Sequence, residues 1–164
     1  MSEKIKRVYV DNSVVSGVFD KLMPERVAHM ELFWQAVVDG KFKIIASDVL
    51  REETEKAPQH VRDFFDDLPE SQIERVVSTD ESDNLAMQYI AEQVIGTSNL
   101  TDCRHIAVAT VCHADAVVSW NCDDMVNPNR IPKYTEVNEK HGYPKDGYQK
   151  IEILTPDKFM EDYL

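Results

Sequence analysis

Residues 6–13, KRVYVDNS, join a short run of branched and aromatic side chains to three residues that favour turns and helix caps. The run from Lys6 to Val10 predicts a β-strand, because such side chains pack well on a pleated, buried surface. Asp11, Asn12 and Ser13 follow at the carboxyl end of that strand. The segment therefore predicts a strand that delivers an acid to one edge of a sheet.

The rest of the chain alternates between strand and helix patterns. Short apolar runs predict further strands at 42–46, 116–119 and 151–154. Helical spacing of apolar residues predicts helices at 25–38, 49–57, 60–68, 82–95 and 100–112, and a last helix capped at Thr155-Pro156. This alternation predicts a single domain over residues 1–164, a three-layer α/β/α fold with a central, mostly parallel sheet.

Composition narrows the class of protein. No stretch approaches the roughly 20 apolar residues of a membrane span, and the first residues lack the apolar core of a signal peptide, so we expect a cytoplasmic protein with no membrane partner. Cys103, Cys112 and Cys122 are odd in number and lack CxxC spacing, which predicts reduced thiols with buried packing roles. The Phe33-Trp34 pair is typical of a core, or of a surface that receives a second copy or a partner helix.

The net charge of −12 opposes the usual basic character of nucleic-acid binders. Residues 127–150 are the exception, because they hold five basic against three acidic residues, interleaved with tyrosines. Such a mixture is typical of surfaces that track single-stranded nucleic acid, which makes Arg130, Lys133 and Tyr134 candidate substrate-binding residues. The alternative is a solvated loop whose tyrosines pack back onto the domain.

Several acids follow predicted strands or open predicted helices. In a parallel sheet the ligand site lies at the carboxyl ends of the strands, so these acids are expected to converge. The candidates are Asp11, Glu52 or Glu53, Asp102, and Asp123 or Asp124. Taken singly, each position also suits an ordinary turn, a helix N-terminus or a solvated helix face.

Converging carboxylates repel one another unless a cation lies between them. A set of oxygen ligands without cysteine or histidine suits Mg²⁺ or Mn²⁺. These ions lower the pKa of a water and offset charge on a phosphodiester, so metal-assisted phosphodiester hydrolysis is the chemistry that the acids favour.

Four ordered segments give the chain a resemblance to the PIN domain family. They are YVDNSVVSGVF at 9–19, IIASDVLREE at 44–53, TDCRHIAVATVCHADAVVSWN at 101–121 and GYQKIEILTP at 147–156. The family contains small metal-dependent ribonucleases, among them toxins of toxin-antitoxin pairs. The resemblance implies a PIN-like fold, an RNA substrate, an antitoxin protein or a second copy of the chain as candidate partners, and cleavage that leaves 5′-phosphate and 3′-hydroxyl ends.

The resemblance also carries over individual residues. Asp11 and Asp102 match family acids that bind metal, and the interval after Ser47 favours Glu53 over Glu52. Asn121 stands where family members often have an aspartate or an asparagine, and because an amide is a weaker cation ligand than a carboxylate, we expect Asn121 to assist while Asp124, or Asp123, supplies the charge.

Two residues beside the acids have open roles. Ser13 either orients the substrate or caps the helix after the first strand, and His105 either hydrogen-bonds Asp102 or packs within its helix, the second being favoured.

The leading hypothesis is thus a Mg²⁺- or Mn²⁺-dependent ribonuclease with Asp11, Glu53, Asp102 and Asp124 as metal ligands and Asn121 assisting catalysis. A non-catalytic PIN-like module that binds RNA or protein is the alternative, favoured by the amide at position 121 and by the acidity. An acidic phosphatase-like enzyme fits less well, because the first strand lacks a second aspartate two residues after Asp11.

Overall fold

The computed structural model describes residues 5–96 and 99–164. Residues 1–4 and 97–98 of the predicted domain lie outside the described ranges. Its centre is a five-stranded sheet in the order β3-β2-β1-β4-β5, and every neighbouring pair is parallel. The strands are β1 (Arg7–Val10), β2 (Lys43–Ser47), β3 (Ile73–Val76), β4 (Ala116–Val118) and β5 (Glu152–Leu154). The predicted α/β class is confirmed, and the mostly parallel sheet is wholly parallel in the described residues.

Eight α-helices connect and cover the strands in the part of the chain that the structure describes. They are α1 (Asn12–Ser16), α2 (Pro24–Val38), α3 (Asp48–Glu55), α4 (Gln59–Asp66), α5 (Asp80–Ala91), α6 (Leu100–Val111), α7 (Ile131–Lys140) and α8 (Pro156–Tyr163). Short 3₁₀ turns occur at Gly17–Phe19 and Glu70–Gln72. In residues 5–96 and 99–164, no helix combines the length and the apolar character needed to cross a membrane.

Side-chain alternation along the strands divides the core into two clusters. In β1, Val8 and Val10 face the cluster formed with α2, α4 and α8, whereas Tyr9 faces the cluster formed with α5, α6 and α7. Ile44 and Ile45 of β2 divide between the two clusters in the same way. Because successive side chains on a strand point to opposite faces, a continuously apolar strand signals helices on both sides. The three-layer arrangement follows.

The core on the α2 side is aromatic. Phe33 lies 5.0 Å from Phe42 and 6.3 Å from Phe159 between ring centroids, and it packs edge-on against Trp34 at 5.2 Å. Phe33 and Trp34 are buried in this cluster. The predicted core role of the pair is therefore confirmed.

Three local expectations differ from the structure. Strand β3 was not predicted, because its four residues are partly buried or exposed and lie at the sheet edge, where an apolar pattern is weak. Residues 127–150 contain helix α7, which begins at Ile131 and buries Tyr134 and Val137. All three cysteines are free, but Cys122 is exposed and has no buried packing role.

The strand order places a topological switch point between β1 and β4. From β1 the chain builds outward through β2 to β3, and then it returns to the other side of β1 to form β4 and β5. Ligands of open α/β sheets bind at the carboxyl ends of the strands at such a point. Asp11 follows β1 and Ser119 follows β4, so these two residues mark the expected site.

Candidate acidic site at the sheet edge

Asp11 is held by hydroxyl groups from two strand ends. Its Oδ1 accepts hydrogen bonds from the Ser13 backbone N–H at 3.1 Å and from Ser13 Oγ at 2.5 Å, and its Oδ2 accepts one from Ser119 Oγ at 2.6 Å. Burial raises the pKa of Asp11, and the Glu53 charge adds to this, while His105 and the two serine hydroxyls oppose it. The Asp11 carboxylate is thus buried and oriented, and its hydrogen bonds and the nearby His105 compensate only part of the cost of burying its charge.

Of the two roles left open for Ser13, the structure excludes the helix cap. Helix α1 is capped by the Asp11 side chain and not by Ser13. Ser13 Oγ instead donates to Asp11 and accepts from the Trp120 backbone N–H at 2.9 Å. Ser13 therefore ties the end of β1 to the chain that follows β4.

Glu53 is positioned by a line of buried side chains. Its Oε1 accepts from the Asn12 backbone N–H at 3.2 Å and lies 2.7 Å from His105 Nε2. The other ring nitrogen, His105 Nδ1, is 2.6 Å from the Tyr9 hydroxyl, which is also 2.6 Å from Ser47 Oγ. Among the described residues, both hydrogen bonds of Glu53 use Oε1, so Oε2 is the oxygen that remains for a ligand.

The charge of His105 depends on its carboxylate neighbours. Burial alone lowers the pKa of His105, but the Glu53 hydrogen bond and the charges of Glu53, Asp11 and Asp102 outweigh burial, so the pKa is raised. His105 packs within its helix as predicted, since it is fully buried. Its hydrogen-bond partner is Glu53, however, and the predicted alternative of a bond to Asp102 is not the arrangement observed.

Asp102 also carries a charge that its surroundings disfavour. Its pKa is raised to about 6, with burial as the largest cause; the charges of Asp124, Asp11 and Glu53 contribute to the rise, and His105 offsets part of it. A carboxylate in this setting gains little from being charged unless a cation approaches. Because Asp11, Glu53 and Asp124 all act on Asp102, the four acids share one region.

The structure separates the two pairs that the sequence left open. Glu52 is exposed, and its carboxylate is engaged in an ion pair with Arg104 at 3.0 Å. Asp123 is exposed as well, and its backbone carbonyl, not its side chain, accepts hydrogen bonds from Asn127 and Arg130. Glu53 and Asp124 are therefore the members that accompany Asp11 and Asp102.

Asn121 closes a turn next to the acids. Its side-chain Oδ1 accepts from the Asp124 backbone N–H at 3.0 Å, and its own backbone N–H donates to Ser119 Oγ at 3.0 Å. The amide oxygen thus orients the segment that carries Asp124, which is a positioning contact.

The candidate substrate-binding residues of 127–150 are only partly available. Tyr134 is fully buried against Tyr89, and its hydroxyl donates to the Asp124 carbonyl, so its ring cannot stack on a base as predicted. Arg130 is bound to the Val94 and Asp123 carbonyls and lies 3.8 Å from Asp124. Lys133 is exposed. The predicted stacking role of Tyr134 was wrong, and the alternative that the tyrosine packs back onto the domain is confirmed, because the residues around Tyr134 form a helix that packs on the core.

The carboxylate oxygens of these acids suit a hard cation, although the side chains do not already form a metal-binding group in the described residues. Carboxylate oxygens are the ligands that Mg²⁺ and Mn²⁺ prefer, and the raised pKa of Asp102 reflects a charge that a cation would relieve. Within residues 5–96 and 99–164, no three His, Cys, Asp or Glu side chains already form a group that could hold a metal ion. The chemistry fits, and binding would require these side chains to close around the ion.

The sequence interpretation missed the residues that orient the acids. Ser119, Tyr9 and Ser47 form the hydrogen bonds described above, and His105 was assigned to packing alone. One signal was present: a small hydroxyl residue stands at the end of both β2 and β4, beside the sheet edge that the acids occupy.

Comparisons with known proteins support the fold. No family model and no curated protein matches the chain. The chain is similar in structure to the crystal structure of VapBC2 from Rickettsia felis bound to a DNA fragment from their promoter, with a TM-score of 0.50 and 14% sequence identity. The match covers 75% of this chain and 94% of that one. At this identity the likeness shows the fold alone, which is an α/β fold of the PIN-like type.

Proposed function

We propose that this protein is a divalent-metal-dependent endoribonuclease. The observation that supports the proposal is that the charges of Asp11, Glu53 and Asp124 all act on Asp102, whose pKa is raised to about 6, beside the switch point between β1 and β4. Carboxylates that repel one another destabilise a fold unless a bound cation neutralises them. Acids with strongly shifted pKa values cluster at functional sites.

In this proposal Asp11, Glu53, Asp102 and Asp124 hold Mg²⁺ or Mn²⁺. When bound, such an ion lowers the pKa of a water and offsets charge on a phosphodiester. The protein supplies orientation: Ser13 and Ser119 fix Asp11 through their hydroxyls, and His105 holds Glu53 by one oxygen. Asn121 fixes the turn before Asp124, which is how we propose that it assists.

The family resemblance supports RNA as the substrate and 5′-phosphate and 3′-hydroxyl as the products. Lys133 is exposed and Arg130 lies beside Asp124, so we retain both as candidate contacts for the RNA backbone. We also propose that the protein acts in the cytoplasm.

RNA cleavage tests the activity. Purified protein with Mn²⁺ is expected to cut single-stranded RNA, and Asp102→Asn should reduce the rate at least about 100-fold, since ligands matter at least as much as their supporting contacts. Asp66→Asn is the matched control, because Asp66 is exposed at the end of α4. Equal cleavage by wild type and Asp102→Asn would assign the activity to a contaminant and reject the proposal.

A protein partner is the second part of the proposal. The structural neighbour is a VapBC2 complex, and the PIN family includes toxins that pair with antitoxins, so we propose that an antitoxin protein binds this chain. A small reading frame next to the gene, whose product copurifies with the chain and suppresses RNA cleavage, is the expected finding. We further propose a homodimer, and a monomer mass in solution would reject it.

A non-catalytic module that binds RNA or protein is the competing function. Two observations favour it: the Asn121 oxygen is occupied by a backbone N–H, and Arg130 lies beside Asp124, where it competes with a metal ion. RNA binding without Mn²⁺-dependent cleavage would establish this alternative.

A further inference from the structure

A second feature adjoins the acidic site. Ser13, which bonds Asp11, also lines a cleft of about 340 Å³ that runs between the start of α2 and the start of α4. Its volume is within the range of small-ligand pockets. The cleft is therefore large enough for a small group and begins beside the residues proposed to act on a phosphodiester.

The lining combines aromatic rings with basic side chains. Trp120 and Phe19 contribute rings, and Arg26 and His60 contribute nitrogen donors, with Asp20 as the acidic member. Phe19 is 37% exposed although it is large and apolar. The His60 ring packs edge-on against Phe19, with 4.7 Å between centroids.

Arg26 stands out in a chain of net charge −12 as a cation beside an aromatic ring. In the described part of the chain its guanidinium forms no ion pair, and its recorded contact is the Trp120 ring, 4.9 Å away. An arginine stacked on an aromatic ring presents a flat positive surface to which a base and a phosphate both bind.

Trp120 has an unused donor at the same place. Its indole Nε1 is buried and has no hydrogen-bond partner among the described residues. It packs against Gly17, where an added Cβ would lie 3.3 Å from Nε1 and 3.2 Å from Met30 Cγ. The absence of a side chain at Gly17 thus makes room for the indole, which is held in place by its neighbours.

We propose that this cleft binds one nucleotide of a single-stranded RNA, with the base against Trp120 and Phe19 and an adjacent phosphate at Arg26. Aromatic rings interleaved with a free cation are the pattern that recognises unpaired nucleotides. This assignment rests on the proposed ribonuclease function and adds the subsite next to the scissile bond. The subsite also explains how an acidic chain binds RNA, because the positive charge that contacts the phosphate is local to Arg26 and need not extend over the whole surface.

Tryptophan fluorescence provides a direct test, because the chain has two tryptophans and Trp34 is only 4% exposed. A short single-stranded RNA is titrated in EDTA, which prevents metal-dependent cleavage. Binding is expected to quench the Trp120 emission, and Trp120→Leu should weaken binding about tenfold. Trp120→Phe should recover most of the affinity, which separates stacking from a folding defect.

Arg26→Gln should weaken binding about threefold and reduce the salt dependence by one phosphate contact, a change in slope of about 0.7. Lys41→Gln is the control with the same charge change. Lys41 is exposed just before β2, near the amino ends of the strands and therefore at the end of the sheet opposite the acidic site. RNA binding that is equal in wild type, Trp120→Leu and Arg26→Gln, or absent in wild type, would overturn the subsite.

Cleavage with Mn²⁺ is measured in parallel on the same RNA. Binding that depends on Trp120 without any cleavage would reject the ribonuclease and keep the subsite. Cleavage with an unchanged KM in Trp120→Leu would reject the subsite and keep the ribonuclease.

Discussion

The acidic edge and the segment 127–150 differ in how far sequence position determines structural role. At the edge, Asp11 lies directly after β1 and Asp102 lies in the first turn of α6, so strand ends and helix starts bring them together. In 127–150 the basic and aromatic residues do not follow strands, so strand direction does not place them. Helix α7 instead buries Tyr134 in the core. Acids at strand ends are thus placed by the sheet, whereas a mixed polar segment acquires its role from the surface it packs on.

The largest expected effect concerns Tyr134. Tyr134→Ala should lower the free energy of unfolding by about 3–5 kcal/mol, because it empties a large buried site. Lys133→Ala, at the exposed neighbouring position, should change it by less than about 0.5 kcal/mol. Denaturant unfolding measures both. A stable Tyr134→Ala that loses RNA binding would restore the tyrosine as a nucleic-acid contact and break the comparison.

A smaller effect is expected at the acidic edge from His105. His105→Ala leaves the Tyr9 hydroxyl and Glu53 without their shared partner, which should cost about 2 kcal/mol of unfolding free energy. It should also reduce RNA cleavage, because Glu53 loses its orientation. His141→Ala, at an exposed position after α7, is the control. Full cleavage by a folded His105→Ala would show that the line from Tyr9 to Glu53 has no role in the site.

The smallest expected effect concerns Glu74, which lies near the amino ends of the strands, at the end of the sheet opposite the acidic site. There the Arg7 side chain bonds Glu74 and holds the pKa of Glu74 below its usual value. An acid with a lowered folded pKa stabilises the fold above its unfolded pKa, and that contribution is lost as the pH falls through the folded pKa. Glu74→Gln should therefore be less stable than wild type at neutral pH, by less than about 1 kcal/mol.

Unfolding curves for wild type and Glu74→Gln across this pH range measure the difference. The two proteins should converge in acid, below the usual glutamate pKa of 4.5. A difference that persists unchanged in acid would contradict the assignment to the charged pair.

The sequence predicts those parts of the molecule that local pattern controls. Strands β1, β2, β4 and β5 contain compact apolar runs, and the acids beside them follow from strand direction. The hydrogen bond from Ser119 to Asp11 could not be predicted, because it joins residues 108 positions apart through the register of β4 on β1. The pairing of His105 with Glu53 depends in the same way on how α6 packs against α3.

The burial of Tyr134 was one of two alternatives that the sequence left open, and the sequence could not decide between them for a related reason. Residues 131–140 are rich in charged and polar side chains, and Tyr134 and Val137 are among the few that face the core. A weak apolar face of this kind becomes visible only when the surface opposite it, here Tyr89 of α5, is known.

Titration with Mn²⁺ tests most directly the claim that the acidic edge is a cation site. Unfolding midpoints and calorimetric binding would be compared for wild type, Asp102→Asn and the Asp66→Asn control. In EDTA, Asp102→Asn should be as stable as wild type or more so, since burial and neighbouring charges disfavour the charged carboxylate. Added Mn²⁺ should bind and stabilise wild type and Asp66→Asn but not Asp102→Asn, whereas equal Mn²⁺ binding by all three proteins, or none, would contradict the account.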